Sequence, residues 1–247
     1  MTTSSTAPPK PIVLAFATAK GGMGKTTLSV IVASYMHYKM GVKAAILDVD
    51  GSQLSVYNQR LREAENLSEE GKLRLMERQE KEGIDAYQIL SGYPGDVPKL
   101  LKHLPDGTQL VFVDLPGNIE IVGYDLALKE VDLLIVPMET SEYSVTTGFQ
   151  YLSAIKQIGL LPLTNCWILW NKYKPSRDGA QADQLEEVFQ SHGFQCLKSR
   201  VPARDSYQDP ANRSTLFAMP TPYLRNSGLK DLFSELEDII QKITPNK

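Results

Sequence analysis

The sequence predicts an α/β protein: a doubly wound, mainly parallel sheet with helices on both faces. Three observations carry that prediction. From Ile12 onward, short β-rich apolar runs alternate with longer amphipathic stretches, the pattern of strands joined by helical crossovers. The runs are flanked by glycine, proline or charge and show no polar alternation, as strands covered on both faces require. A glycine-rich stretch separates the leading run from the leading amphipathic stretch, a strand–loop–helix order in which helix N-terminal amides can face an anion.

Taken in order, the strand candidates are residues 12–18, 44–48, 110–114, 133–137 and 166–171. A helix is expected over 25–40, stopped by Gly41, because glycine takes the left-handed conformation that ends helices. Residues 60–82 hold six basic and seven acidic side chains with few apolar ones, which predicts a solvated helix or mobile segment after the second strand. In the final helix, Leu229, Leu232, Phe233, Leu236, Ile239, Ile240 and Ile243 fall on one stripe, with Glu235, Glu237 and Asp238 turned outward.

At 247 residues the chain suits one large domain over 11–247, preceded by a flexible tail over 1–10 rich in Thr, Ser and Pro. Hydrophobic residues at 42% and charged ones at 22% are globular values, which excludes a disordered or fibrous chain. No apolar stretch reaches the roughly 18 residues a membrane span needs, and no apolar leader is visible. With only Cys166 and Cys196, neither a disulfide framework nor a metal clip is expected, and the protein reads as cytoplasmic. A net charge of -3 argues against wholesale coating of nucleic acid but leaves room for a local basic face.

The chemistry is concentrated in Lys20-Gly21-Gly22-Met23-Gly24-Lys25-Thr26-Thr27. A loop that wraps a triphosphate brings backbone N–H groups close to its oxygens, and glycine permits both the approach and the dihedrals. Lys25 sets an ammonium against the β and γ phosphates, and Thr26 offers a hydroxyl to Mg²⁺. The general P-loop pattern opens on glycine, whereas this run has Ala19 there, with Lys20 directly before the paired glycines.

That departure resembles the deviant Walker A motif of the ParA/MinD family of P-loop ATPases. The resemblance extends from Pro11 to about Ile243, with the motifs in family order. It implies ATP and Mg²⁺ as ligands, and a Lys20 that reaches across an ATP-sandwiched homodimer to the partner's phosphates. Asp48-Val49-Asp50 looks like the family's Asp-x-Asp switch, although Gly51-Ser52-Gln53 replaces the usual Pro-Gln continuation. By that analogy Asp50 orients the attacking water and Asp48 lies near the metal. The run ending Asp114-Leu115-Pro116-Gly117 is similar to the Walker B segment, which makes Asp114 a metal residue and Gly117 a γ-phosphate sensor. Glu142-Tyr143-Ser144 resembles a stretch beside the dimer interface. Asn171 resembles the adenine-contacting residue, and residues 201–204, with Pro202, resemble the late loop against which the base packs.

The leading functional expectation is a partition-type ATPase. Its ATP dimer binds nonspecific DNA, giving nucleoid association, and a partner protein stimulates hydrolysis to move plasmid, mobile-element or other cargo. Lys198, Arg200, Arg204, Arg213, Arg225 and Lys230 would supply the basic face, against Asp205 and Asp209. The alternative is a MinD-like regulator cycling on a membrane or protein scaffold. The acidic polar face of the final helix disfavours membrane binding, and the two cysteines do not supply a bridging iron–sulfur ligand set.

Overall fold

The structure is a computed structural model that describes residues 10–51 and 53–244. Residues 1–9 of the expected tail over 1–10, Ser52 of the switch segment and residues 245–247 lie outside the described residues. Seven strands form one parallel sheet: β1 (Ile12–Phe16), β2 (Ala44–Asp48), β3 (Gln88–Ser91), β4 (Leu110–Asp114), β5 (Leu133–Met138), β6 (Cys166–Tyr173) and β7 (Gln195–Pro202). Their spatial order is β3-β2-β4-β1-β5-β6-β7, with every pairing parallel. From β1 the chain passes to β2 and β3 on one side, returns to β4 beside β1, and then passes to β5, β6 and β7 on the other side, so the crevice at the C-terminal end of β1 is the switch point where open α/β sheets bind ligands.

Each strand feeds two cores because successive side chains point to opposite faces. Leu14 and Phe16 of β1 pack with α1 (Lys25–Tyr38) and α9 (Leu229–Ile243), whereas Val13 and Ala15 pack with α5 (Tyr124–Lys129), α6 (Glu142–Ile158) and α7 (Pro175–Ser191). The doubly wound expectation therefore holds, with helices on both faces. Two short helices, α4 (Val97–Leu100) and α8 (Thr221–Leu224), complete the connections. Among the described residues, no helix is long and apolar enough to cross a membrane.

The five expected strands are present, and β2 and β4 have the expected bounds. Helix α1 stops at Tyr38, two residues before the expected end, while Gly41 still takes a left-handed φ of 69°. Two edge strands had no comparable signal. β3 is four residues long with Ile89 alone buried, and β7 alternates buried Leu197, Ser199 and Val201 with charged neighbours.

The charged stretch 60–82 is helical rather than mobile, and it is tied inward. It spans most of α2 (Ser55–Glu65) and all of α3 (Glu69–Glu82). Ser68 caps α3 by accepting the Gly71 N–H at 3.1 Å, and Gly83 ends it at φ 65°. Arg60 donates to Thr215 Oγ1 and Thr215 O at 2.8 Å each, and Arg78 donates to Leu216 O at 2.8 Å while lying 4.1 Å over the Tyr38 ring. Glu235 is likewise not an idle outward charge, because its carboxylate accepts the Lys198 and Ser199 N–H groups at 2.8 Å each and docks α9 on β7.

Candidate nucleotide site

The run from Lys20 to Thr27 joins β1 to α1 at the switch point. Gly22 and Gly24 sit at φ 74° and 84°, where a side chain would be strained. Gly24 is also closed by contact, since a Cβ there would lie 2.7 Å from Asn171 Nδ2. Asn171 donates to the Met23 carbonyl at 2.8 Å, and Met23 is buried beneath the loop, where its sulfur accepts from Ser144 Oγ at 3.5 Å. The end of β6 and the start of α6 therefore hold the loop from below. Gly21, Gly22 and Gly24 remain at least partly exposed above it, with the surface open to a ligand.

The charged groups converge on the same crevice. Lys25 Nζ donates to the Lys20 carbonyl at 3.3 Å, and a Cβ on Gly117 would stand 3.3 Å from that ammonium, so the turn after β4 lies against Lys25. Burial lowers the Lys25 pKa, opposed by the negative charges of Asp114 and Asp50. Thr26 Oγ1 donates to Asp114 Oδ2 at 2.8 Å, with Oδ1 at 3.1 Å. Asp114 is pushed up to about 7, chiefly by burial and further by Asp48, against the opposing pull of the Thr26 hydroxyl and Lys25. A divalent cation beside it would reverse that preference and restore the carboxylate.

Thr26 and Asp114 fit the group expected there. They bring two hard oxygen donors together at the ends of α1 and β4, and among the described residues no cluster of three or more His, Cys, Asp or Glu could hold a metal by itself. Few protein ligands plus phosphate oxygens and water is how Mg²⁺ is commonly held. Asp48 has a different first task. It pairs in register with Asp114, but its Oδ2 accepts the Val56 and Tyr57 N–H groups at 2.8 and 2.9 Å and so fastens the start of α2. Its Oδ1 is buried and without a hydrogen-bond partner among the described residues. Burial raises the Asp48 pKa, against the pull of those two amides. Asp50 follows β2, and its carbonyl accepts the Gln53 and Leu54 N–H groups at 2.8 and 2.9 Å.

Lys20 Nζ lies 4.9 Å over the ring of Tyr143, which is 70% exposed, so in this single chain the lysine rests on the residue that follows the start of α6.

Beside the loop opens a cavity of about 510 Å³ lined by Gly22, Gly24, Thr27, Asn171, Arg204 and Tyr207, among others. That volume lies in the range of small-molecule sites. Pro202 is not part of this wall. It closes β7 in register with Tyr173 and packs where Gly228 approaches, and the cavity wall begins one residue later, at Ala203. Lys172, Tyr207 and Arg213 also line the cavity and were not legible beforehand; the φ of 54° at Lys172 leaves no mark in sequence. Three of the six late basic residues are engaged within the chain. Arg200 is taken up by Asp183, Glu186 and the Tyr173 hydroxyl, Arg204 bonds to the Asn226 carbonyl, and Arg213 stands in the cavity wall.

Comparison with known proteins places this geometry. Residues 14–217 match the family model described as the CobQ/CobB/MinD/ParA nucleotide binding domain. A search of curated proteins gives no match. Among solved structures, the chain is similar to a protein described as a plasmid partition protein from Borrelia burgdorferi B31, bound to AMPPNP. The identity is 17% and the TM-score 0.66, over 94% of this chain and 99% of that one. It is also similar to the MinD cell division protein of Aquifex aeolicus, at 16% identity and TM-score 0.63, over 96% and 99% of the two chains. A ParA family ATPase from Chlorobium tepidum TLS matches at 17% identity and TM-score 0.60, over 92% and 98%. With the lysine-bearing loop, the Thr26–Asp114 pair and a matching model over most of its length, the chain belongs to the CobQ/CobB/MinD/ParA family of nucleotide-binding domains.

Proposed function

We propose that this chain hydrolyses ATP with Mg²⁺, dimerises around the nucleotide, and in that form binds nonspecific DNA to partition or position a cargo. The observation that carries the reading is the convergence of Lys25, Thr26 and Asp114 on one crevice, with the Gly117 turn against the Lys25 ammonium. When bound, Mg²⁺ offsets phosphate charge and orients the terminal phosphoryl group. Backbone amides of residues 21–27 hold the phosphates, and Lys25 adds a fixed positive charge where negative charge develops. Asp50 orients water, and Gly117 is placed to sense whether the γ-phosphate is present.

Dimerisation would transfer Lys20 from Tyr143 to the partner's phosphates. Ile121, Val122 and Leu126, exposed just beyond the Gly117 turn, offer apolar surface for that contact, with Val122 92% exposed. Lys198, Arg225 and Lys230 remain exposed to meet DNA phosphates. The MinD-like reading draws on the likeness to MinD of Aquifex aeolicus. Against its membrane form, α9 carries Asp231, Glu235, Glu237 and Asp238 against Lys230 and Lys242, the wrong balance for an anionic surface.

The test is co-sedimentation with random-sequence duplex DNA in ATP, ADP or no nucleotide, at two salt concentrations, for wild type and Lys25→Ala. ATP-dependent, salt-sensitive binding that is lost in Lys25→Ala is expected. Intact ATP hydrolysis with no DNA binding in any state would move the function to a membrane or protein scaffold.

A further inference from the structure

On the other side of Arg213 from the P-loop lies a second cavity of about 560 Å³, between the α2–α3 turn and the chain that follows β7. Arg62, Arg74 and Arg213 line it, against a single acid, Glu63. That acid serves the chain itself. Its Oε2 accepts from Ser214 Oγ, Thr215 N and Thr215 Oγ1 at 3.1, 2.8 and 2.7 Å, and its Oε1 accepts from Gln59 Nε2 at 2.6 Å. Among the described residues, none of the three arginines forms an ion pair. Among the described residues, Arg213 Nε is buried with no hydrogen-bond partner, a costly state for a guanidinium and one that a ligand oxygen would relieve.

The rest of the lining suits the body of such a ligand. Leu67, Phe217 and Pro220 form an apolar wall, and the Arg74 guanidinium lies 4.8 Å over the Phe217 ring, at the border between charge and apolar surface. Guanidinium forks match phosphate oxygens two at a time. Arg62 and Arg213 also line a polar cavity of about 410 Å³ that reaches Thr26, and Arg213 lines the nucleotide cavity as well. One side chain thus borders the P-loop site, the second cavity and the passage between them.

We propose that this cavity is a second nucleotide site, taking a diphosphate-class nucleotide by its phosphates on Arg62, Arg74 and Arg213 and by its ring on the apolar wall. Arg213 couples it to the P-loop. The inference goes beyond the partition reading and does not depend on DNA binding or on hydrolysis.

Equilibrium dialysis of the full chain with radiolabelled ADP counts the sites. Two equivalents are expected. Lys25→Ala removes one, and the double variant Arg62→Gln/Arg74→Gln weakens the other roughly 10-fold or more, by loss of charge-assisted contacts. Both arginines are surface residues on helices, so the double variant should fold, and its Lys25-dependent equivalent is the internal control. A single equivalent in the wild type, or a second one indifferent to the arginine pair, overturns the proposal. Two equivalents in the wild type of which Lys25→Ala removes neither, with one still weakened in the arginine double variant, would instead fault the P-loop assignment. Random-sequence duplex DNA that displaces the arginine-dependent ADP, with DNA affinity falling in the double variant, would make the cavity a track for DNA phosphates and end the small-molecule proposal.

Discussion

The P-loop and the arginine-lined cavity meet at Arg213 yet are built in different ways. The P-loop offers backbone amides from seven consecutive residues, 21–27, and its shape follows from glycines at positive φ. The second cavity offers side chains from α2, α3 and the segment after β7, brought together across more than a hundred positions of sequence. Each has a polar clamp: Asn171 under the P-loop, Glu63 behind the cavity wall. A backbone cradle needs little beyond its local sequence and a floor. A side-chain site exists only while distant elements stay docked.

The largest expected effect breaks the second clamp. Glu63→Ala leaves the Ser214 hydroxyl and the Thr215 amide and hydroxyl without their acceptor, which should cost about 2 to 3 kcal/mol of stability. Thermal unfolding should then fall by roughly 5 to 10 °C for a chain of this size. If nucleotide affinity at the P-loop fell as steeply as stability, the two regions would be one unit and the contrast would fail.

A smaller effect is expected at the other clamp. Asn171→Ala removes the bond to the Met23 carbonyl, and nucleotide affinity should drop about 10-fold, equivalent to about 1.4 kcal/mol, in a fluorescent ATP titration. An unchanged affinity would mean that the loop keeps its shape through its glycines alone.

The smallest effect is a pH dependence confined to the P-loop side. Burial holds Asp114 neutral below about pH 7, and a cation must displace that proton to use the carboxylate. Mg²⁺ affinity in the presence of ATP should therefore rise with pH, by roughly threefold between pH 6.5 and 7.5, and level off above. Calorimetry in two buffers of different ionisation enthalpy should register proton release at pH 6.5.

What could be read in advance follows the same divide. β1, β2, β4, β5 and β6 are apolar enough to declare themselves, because buried strands leave a composition that needs no partner to interpret. The edge strands β3 and β7 are marked by pairing more than by composition: Lys198, Ser199 and Arg200 read as polar until Glu235 and the acids of α7 are seen to receive them. The charged stretch 60–82 looked solvated because charge counts do not show direction, and Arg60 and Arg78 point inward onto carbonyls. Within the site, Lys25, Thr26 and Asp114 stood out by motif. The capping task of Asp48, and the one-residue displacement of the cavity wall from Pro202 to Ala203, depended on how β2 and β7 end.

The sequence by itself determined the sheet class, the P-loop and the family, because those rest on short contiguous patterns whose physics is local: apolar runs, glycine dihedrals, a lysine and a threonine at a helix start. Tertiary structure alone decided which arginines are tied down and which face a cavity, and it made Arg213 the border between two sites. Those properties come from contacts between residues far apart in the chain, where burial and hydrogen-bond geometry, not residue type, set what a charge can do.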